Sequence, residues 1–134
     1  MDGDNLYNGH DELTGLHDSF YFSTELERDI AELKRSGKSN HLTVLTLDSD
    51  TPVEIFKEIA EWWKDQFIRV CRYEKASDYM LMGLDEDEGA LKRIKSLFDE
   101  LNGKYPDLKV VRVETIKIDG NSGSLDELVG SIPE

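Results

Sequence analysis

Two aspartates at the end of an apolar run are the residues best placed to do chemistry. His41-Leu-Thr-Val-Leu-Thr-Leu47 leads directly into Asp48-Ser49-Asp50. Two carboxylates at a strand end can contribute to a divalent cation site, usually magnesium with phosphate oxygens and waters completing its shell. Capping of the next helix by Asp50 or Thr51 competes for the same groups and is the plainer reading. A second acidic run, Asp85-Glu86-Asp87-Glu88, could hold a cation, but it also fits the positive end of a helix dipole on a solvated face. His10, His17 and His41 lack metal-ligand spacing, and no serine or cysteine sits in a nucleophile motif. Cys71, the only cysteine, excludes an internal disulfide and a thiolate cluster; within its apolar run it reads as buried and inert. Trp62 and Trp63 are adjacent on a helical pattern, so their directions differ by about 100° and both cannot readily face one core centre. They are therefore the candidates for an exposed aromatic anchor at a protein interface, with packing of both at the helix flanks as the alternative.

The elements that would position these groups follow from periodicity. Phe22, Leu26, Ile30 and Leu33 recur at helical spacing, with Asp18 or Ser19 as cap and Gly37 as stop. The run 41–47, apolar or β-branched throughout, predicts a strand at the sheet centre or covered on both faces. Thr51-Pro52-Val53-Glu54 reads as a capping box with proline at the first helical position, ahead of an inner stripe of Ile55, Ile59 and Trp62 flanked by Phe56 and Trp63. Phe67 to Tyr73 and Tyr79 to Leu84, separated by Glu74-Lys75-Ala76-Ser77-Asp78, read as a β-hairpin. Leu91, Ile94, Phe98 and Leu101 form another helix. Gly103 and Pro106 then precede a strand-like stretch, Leu108 to Ile118, whose buried phase shifts near Glu114 to Ile116 and suggests a bulge or two short strands. Ser124-Leu-Asp-Glu127 is a second capping box opening a short final helix. Such an order predicts an α+β class close to ferredoxin-like, a largely antiparallel sheet with helices packed on its faces.

Composition narrows the partners. A chain of 134 residues fits one domain, and 38% hydrophobic with 34% charged residues is a globular balance. The formal charge of −13 would repel a phosphate backbone and anionic lipid, so neither nucleic acid nor membrane is an expected partner. Proteins or small ligands remain. The start MDGDNLYNGHDE has neither a basic region nor an apolar core, and no run reaches the roughly 18 apolar residues of a membrane span, so a cytoplasmic location is expected. Residues 1–10 read as a polar, flexible lead and 11–134 as one domain. The ending Ser-Ile-Pro-Glu fits a whole protein or an excised domain equally.

Asp11-Glu-Leu-Thr-Gly-Leu16, with Phe22 and Leu26 in the helix that follows, resembles the Asp-x-Leu-Thr-Gly-Leu signature that opens GGDEF (diguanylate cyclase) domains. Asp48-Ser49-Asp50 is similar to the family's Asp-x-Asp, and Arg72-Tyr73 opens a hairpin as in its Arg-Tyr-Gly-Gly-Asp-Glu-Phe. These three landmarks stand in the family's order, and the resemblance runs from about Asp11 to the C-terminus. It implies the nucleotidyl-cyclase-like fold and, in active members, the joining of two GTP molecules into cyclic di-GMP with metal-ion assistance.

The same comparison implies a damaged site. The turn 74–78 lacks both family glycines and is one residue longer. Aligned from Tyr79, it puts Asp78 and Ser77 in place of the two acids; aligned from Arg72, it puts Glu74 and Lys75 in place of the glycines. The family's Asn-Asp, Gly-His and Gly-Asp segment, which helps hold guanine and ribose, has no counterpart in Thr51 to Gln66. Asp65-Gln66-Phe67-Ile68 stands where the inhibitory Arg-x-x-Asp would be, and the C-terminal Ala-Asp and Ala-Lys patterns are missing. One lost electrostatic group typically costs about 100- to 1000-fold in rate, and several are altered together. The expectation is a catalytically inactive GGDEF-like domain in bacterial signalling that meets a protein partner or a neighbouring domain and could form a homodimer. It needs no cofactor, and Asp48 and Asp50 would be a vestigial magnesium site. The alternatives are a nucleotide- or cyclic di-GMP-sensing module without turnover and, behind it, a working cyclase.

Overall fold

The computed structural model describes residues 9–73, 79–86 and 89–130, apart from the side chain of Val111. His17–Asp18 form a two-residue strand, β1, which leads straight into helix α1, Ser19–Ser36. Asp18 caps that helix by accepting from the Tyr21 amide at 2.8 Å. Gly37 ends it at φ +72°, a left-handed conformation that glycine adopts without a Cβ penalty. Strand β2 is Asn40–Leu47, helix α2 Val53–Trp63, and the hairpin pairs β3, Arg69–Arg72, with β4, Tyr79–Asp85. Helix α3, Ala90–Lys104, strand β5, Val110–Ile118, and helix α4, Leu125–Gly130, complete the described order. The strands form one sheet in the order β1-β3-β4-β2-β5. All its pairings are antiparallel except β1 with β3, where His17 lies opposite Cys71 and Asp18 opposite Arg72. The α+β class and largely antiparallel sheet read from the sequence are therefore present.

Between β4 and β2 the register runs unbroken from His41 opposite Asp85 to Leu47 opposite Tyr79. Because β2 is interior and helices cover both faces, its side chains are buried on alternate sides. Leu42 and Val44 meet Phe22, Leu26, Leu33 and Leu125 from α1 and α4. Leu45 and Leu47 meet Ile55, Phe56, Ile59 and Trp63 of α2 and Ile94, Phe98 and Leu101 of α3. Burying an aliphatic or phenylalanine side chain of this size stabilises by about 1.5–3 kcal/mol, so the two clusters together hold the sheet.

Three local readings need correction. Helix α2 begins at Val53 with Pro52 as its cap residue, one position later than expected, and no side chain caps it. The Thr51 hydroxyl is instead buried and has no hydrogen-bond partner among the described residues. Strand β5 is continuous, and its irregularity lies where Thr46 pairs with Arg112 and Leu47 with Val110, not near Glu114 to Ile116. The intermediate burial of Glu114, Thr115 and Ile116 reflects an edge strand. Finally, Trp63 is no surface anchor. It is fully buried, its indole Nε1 donates to the Met82 carbonyl at 2.9 Å, and its ring lies 4.6 Å from that of Phe67. The buried stripe of α2 runs through Ile55, Phe56, Ile59, Ala60 and Trp63, which turns Trp62 to the flank, half-buried. Residues 1–8 of the expected lead lie outside the described residues, as do Asp87 and Glu88.

Candidate functional site

The sheet brings the singled-out residues to one end. Leu47 pairs with Tyr79, so Asp48 emerges beside the place where the β3–β4 hairpin turns. The turn residues themselves, Glu74 to Asp78, lie outside the described residues. Asp48 is tied down by its own backbone neighbours. Its Oδ1 accepts from the Asp50 amide at 2.8 Å, its carbonyl accepts from the Thr51 amide at 2.9 Å, and its amide donates to the Lys109 carbonyl at 3.4 Å. This is an aspartate-stabilised turn, the local use such side chains make of nearby amides. Asp50 is exposed. Beside them an open groove of about 550 Å³ is lined by Asp48, Asp50, Thr51, Ile55, Tyr105 and Lys109 among others.

Across the same end lies a contact that sequence reasoning missed. Arg72 donates from its Nη1 to Asp11 Oδ1 at 3.2 Å, and both side chains are largely buried. The guanidinium carbon sits 5.5 Å from the Phe56 ring centroid and 5.7 Å from that of Tyr79, within cation–π range of each. Those two rings stack on one another at 4.3 Å. Asp11 has its other oxygen occupied: Oδ2 accepts from the Thr14 amide at 2.9 Å and from its hydroxyl at 2.8 Å. Gly15, at φ +75°, closes this turn by donating to the Asp11 carbonyl, and Leu16 drops into the core. The Asp11–Leu16 segment and Arg72, separate landmarks in the sequence, are thus one assembly. Nothing in either segment's spacing announces it, because an ion pair between distant segments leaves no periodicity. Tyr73, next in line, donates its hydroxyl to Asp126 of α4 at 3.0 Å.

No protein-family model matches this chain, and no curated protein matches it in sequence. Solved structures do. The chain is similar to the FimX GGDEF domain from Pseudomonas aeruginosa, with a TM-score of 0.57 and 12% identity over 92% of this chain and 88% of that one. It is also similar to the GGDEF domain of DgcB from Caulobacter crescentus in complex with c-di-GMP, with a TM-score of 0.53 and 15% identity over 84% and 77%. The coiled coil and GGDEF domain of DgcB gives a TM-score of 0.51 at 16% identity over 81% and 66%. The fold is that of GGDEF domains. At such identities the likeness speaks for architecture, and the chemistry must be judged from this chain's own residues.

Among the described residues no three histidine, cysteine, aspartate or glutamate side chains converge. Asp48 already spends Oδ1 on the Asp50 amide. A magnesium ion takes near-octahedral oxygen coordination, with waters and phosphate oxygens completing a shell begun by one or two carboxylates; Asp50 is exposed and Asp48 has one oxygen engaged in its own turn. Trp62, the remaining interaction candidate, lines a second groove, between α2 and α3, with Glu58, Ile59, Leu97, Glu100, Leu101 and Lys104.

Proposed function

We propose that this chain is a non-catalytic GGDEF-like domain that serves cyclic-di-GMP-related bacterial signalling as a regulatory or protein-interaction module. The reading rests on one observation above others. The segment between β2 and β3 is a single short helix whose first turns, Ile55 and Phe56, are spent on the apolar core. Active-site loops for a nucleotide need backbone that approaches phosphate closely and polar groups left free to meet the base. Here the strand-end aspartate is engaged in its own turn, and the arginine opening the hairpin is engaged by Asp11 and lies against two stacked rings. These arrangements favour a scaffold role. No described helix is long and apolar enough to cross a membrane.

The test is a paired assay on the purified domain. Incubation with GTP and magnesium, followed by chromatography, should yield no cyclic di-GMP. Titration with GTP, GMP and cyclic di-GMP, followed by tryptophan fluorescence and calorimetry, should give no saturable binding below about 10 μM, the concentration that corresponds to roughly 7 kcal/mol. Product formation would overturn the reading outright. Tight binding without turnover would replace it with a nucleotide-sensing one.

A further inference from the structure

The groove between α2 and α3 carries features that the fold does not need. Its floor is apolar: Ile59 and Leu101 are buried, and Leu97 and Trp62 are half-buried with the rest of each side chain open to the slot. Its rim is acidic. Glu58 stands one turn before Trp62 on α2, and Glu100 faces them from α3. Lys104 closes one end and is already committed, its ammonium reaching Glu58 at 3.5 Å and lying 5.1 Å from the Tyr105 ring centroid. Glu58 also accepts from the Tyr105 hydroxyl at 3.1 Å. Glu100 is left with no ion pair among the described residues. A half-buried tryptophan and a carboxylate without an ion pair among the described residues line one groove, and on a chain of formal charge −13 such a combination suits a cation.

We infer that this groove binds a partner protein through an arginine side chain, with the guanidinium laid on the Trp62 ring and paired to Glu100. Arginine suits the site better than lysine. Its planar, weakly hydrated head stacks on an aromatic face while its fork pairs a carboxylate, and its aliphatic stem can lie along Leu97 and Ile59. The slot is a small one of about 260 Å³, on the scale of a side chain rather than of a whole docked helix. The partner is therefore expected to present an arginine-bearing segment, with its remaining affinity supplied by the acidic rim. This inference rests on the interaction-module reading above and names the chemistry of its partner.

A hexa-arginine peptide is the first probe, titrated into the ¹⁵N-labelled domain. The two indole resonances are separable because Trp63 is hydrogen-bonded and buried. Binding should move the Trp62 indole together with backbone amides of Glu58 to Trp62 and Leu97 to Lys104, and leave the Trp63 indole unmoved. Hexa-lysine should bind several-fold more weakly. Trp62→Leu should weaken hexa-arginine binding about fivefold, and Glu100→Lys by at least as much. Glu32→Lys, the same change of charge on exposed α1, should cost under twofold. Glu100 is exposed, so its variant leaves the core intact, and a melting curve for Trp62→Leu verifies that it folds. Shifts spread over all acidic faces, or an equal loss in Glu32→Lys and Glu100→Lys, would reduce the interaction to bulk charge and overturn the inference. Cyclic di-GMP production by the same preparation would sink the non-catalytic reading while leaving these shifts to be judged on their own.

Discussion

Replacing Trp63 by alanine separates the folded arrangement from the one that its sequence position suggested. The side chain is fully buried against Phe67 and gives its Nε1 proton to the Met82 carbonyl. Large-to-small substitution of a core aromatic costs about 3–5 kcal/mol from lost transfer energy and the cavity left behind, and the lost hydrogen bond, worth about 1 kcal/mol, falls within that range. A domain of this size has about 5–15 kcal/mol in total. Trp63→Ala should therefore lose about a fifth or more of its stability and melt about 10–20 °C lower. Trp62→Ala, which empties only a half-buried flank, should lose under about 1.5 kcal/mol. Urea titrations of both variants beside the parent, read by far-ultraviolet circular dichroism so that the tryptophans are not the reporters, measure the difference directly. A Trp63→Ala midpoint within error of the parent, or a larger loss in Trp62→Ala, would refute the orientation of α2 on which the groove argument depends.

Other consequences are local. A methyl group at Gly83 would overlap the Phe67 ring, which lies across that strand; Gly83→Ala should cost about 1–3 kcal/mol by overpacking, seen as a lower urea midpoint with an unchanged slope. Asp11→Asn keeps the shape of the turn but removes the charge facing Arg72; breaking a largely buried pair from one side should cost about 2–4 kcal/mol, with faster hydrogen exchange at Thr14 to Asp18 than at β2. Arg69 reaches Asp29 and Glu25 of α1, and its hydrogen bond to Asp29 holds the guanidinium above its already high ordinary value. That contribution is fully present below the ordinary arginine range and is lost only above it, so Arg69→Met should lower stability by a constant amount from pH 6 to 9 rather than in a titrating step.

What was legible in the sequence was whatever repeats along the chain. The α1 stripe of Phe22, Leu26 and Leu33, the Gly37 stop and the continuous burial of β2 follow from spacing and β-branching alone, and all stand where expected. The misreadings share another cause. Choosing between Trp62 and Trp63 required the rotation of α2 about its axis, which is fixed by what Ile55, Phe56 and Ala60 meet on the sheet rather than by the helix itself. The Thr51 cap failed for a related reason: its hydroxyl is drawn under cover as the helix docks, so a motif that satisfies amides in isolation yields to packing. The parallel β1–β3 pair and the Asp11–Arg72 contact join segments some 60 residues apart, and a single sequence carries no record of such meetings.

The distribution of the core explains how a fold of this kind can persist apart from its chemistry. The two apolar clusters are assembled on opposite faces of the sheet, one with the inner stripes of α1 and α4 and Ile118 of β5, the other with those of α2 and α3. Asp48 and Asp50 belong to neither, and the Asp48 side chain spends its hydrogen bond on its own turn. Changes at that rim therefore remove no core atom and create no cavity, and surface substitutions of this sort typically shift stability by less than about 0.5 kcal/mol. The Asp11–Arg72 assembly is the opposite case. Its guanidinium lies against the stacked Phe56 and Tyr79 rings, its Nε is buried without a partner among the described residues, and its carboxylate anchors the turn that delivers Leu16 to the core. Loss of either partner would strand a charge at low exposure. Arg72 and Asp11 thus serve packing whatever chemistry the domain performs, whereas the strand-end aspartates carry no such load in the core.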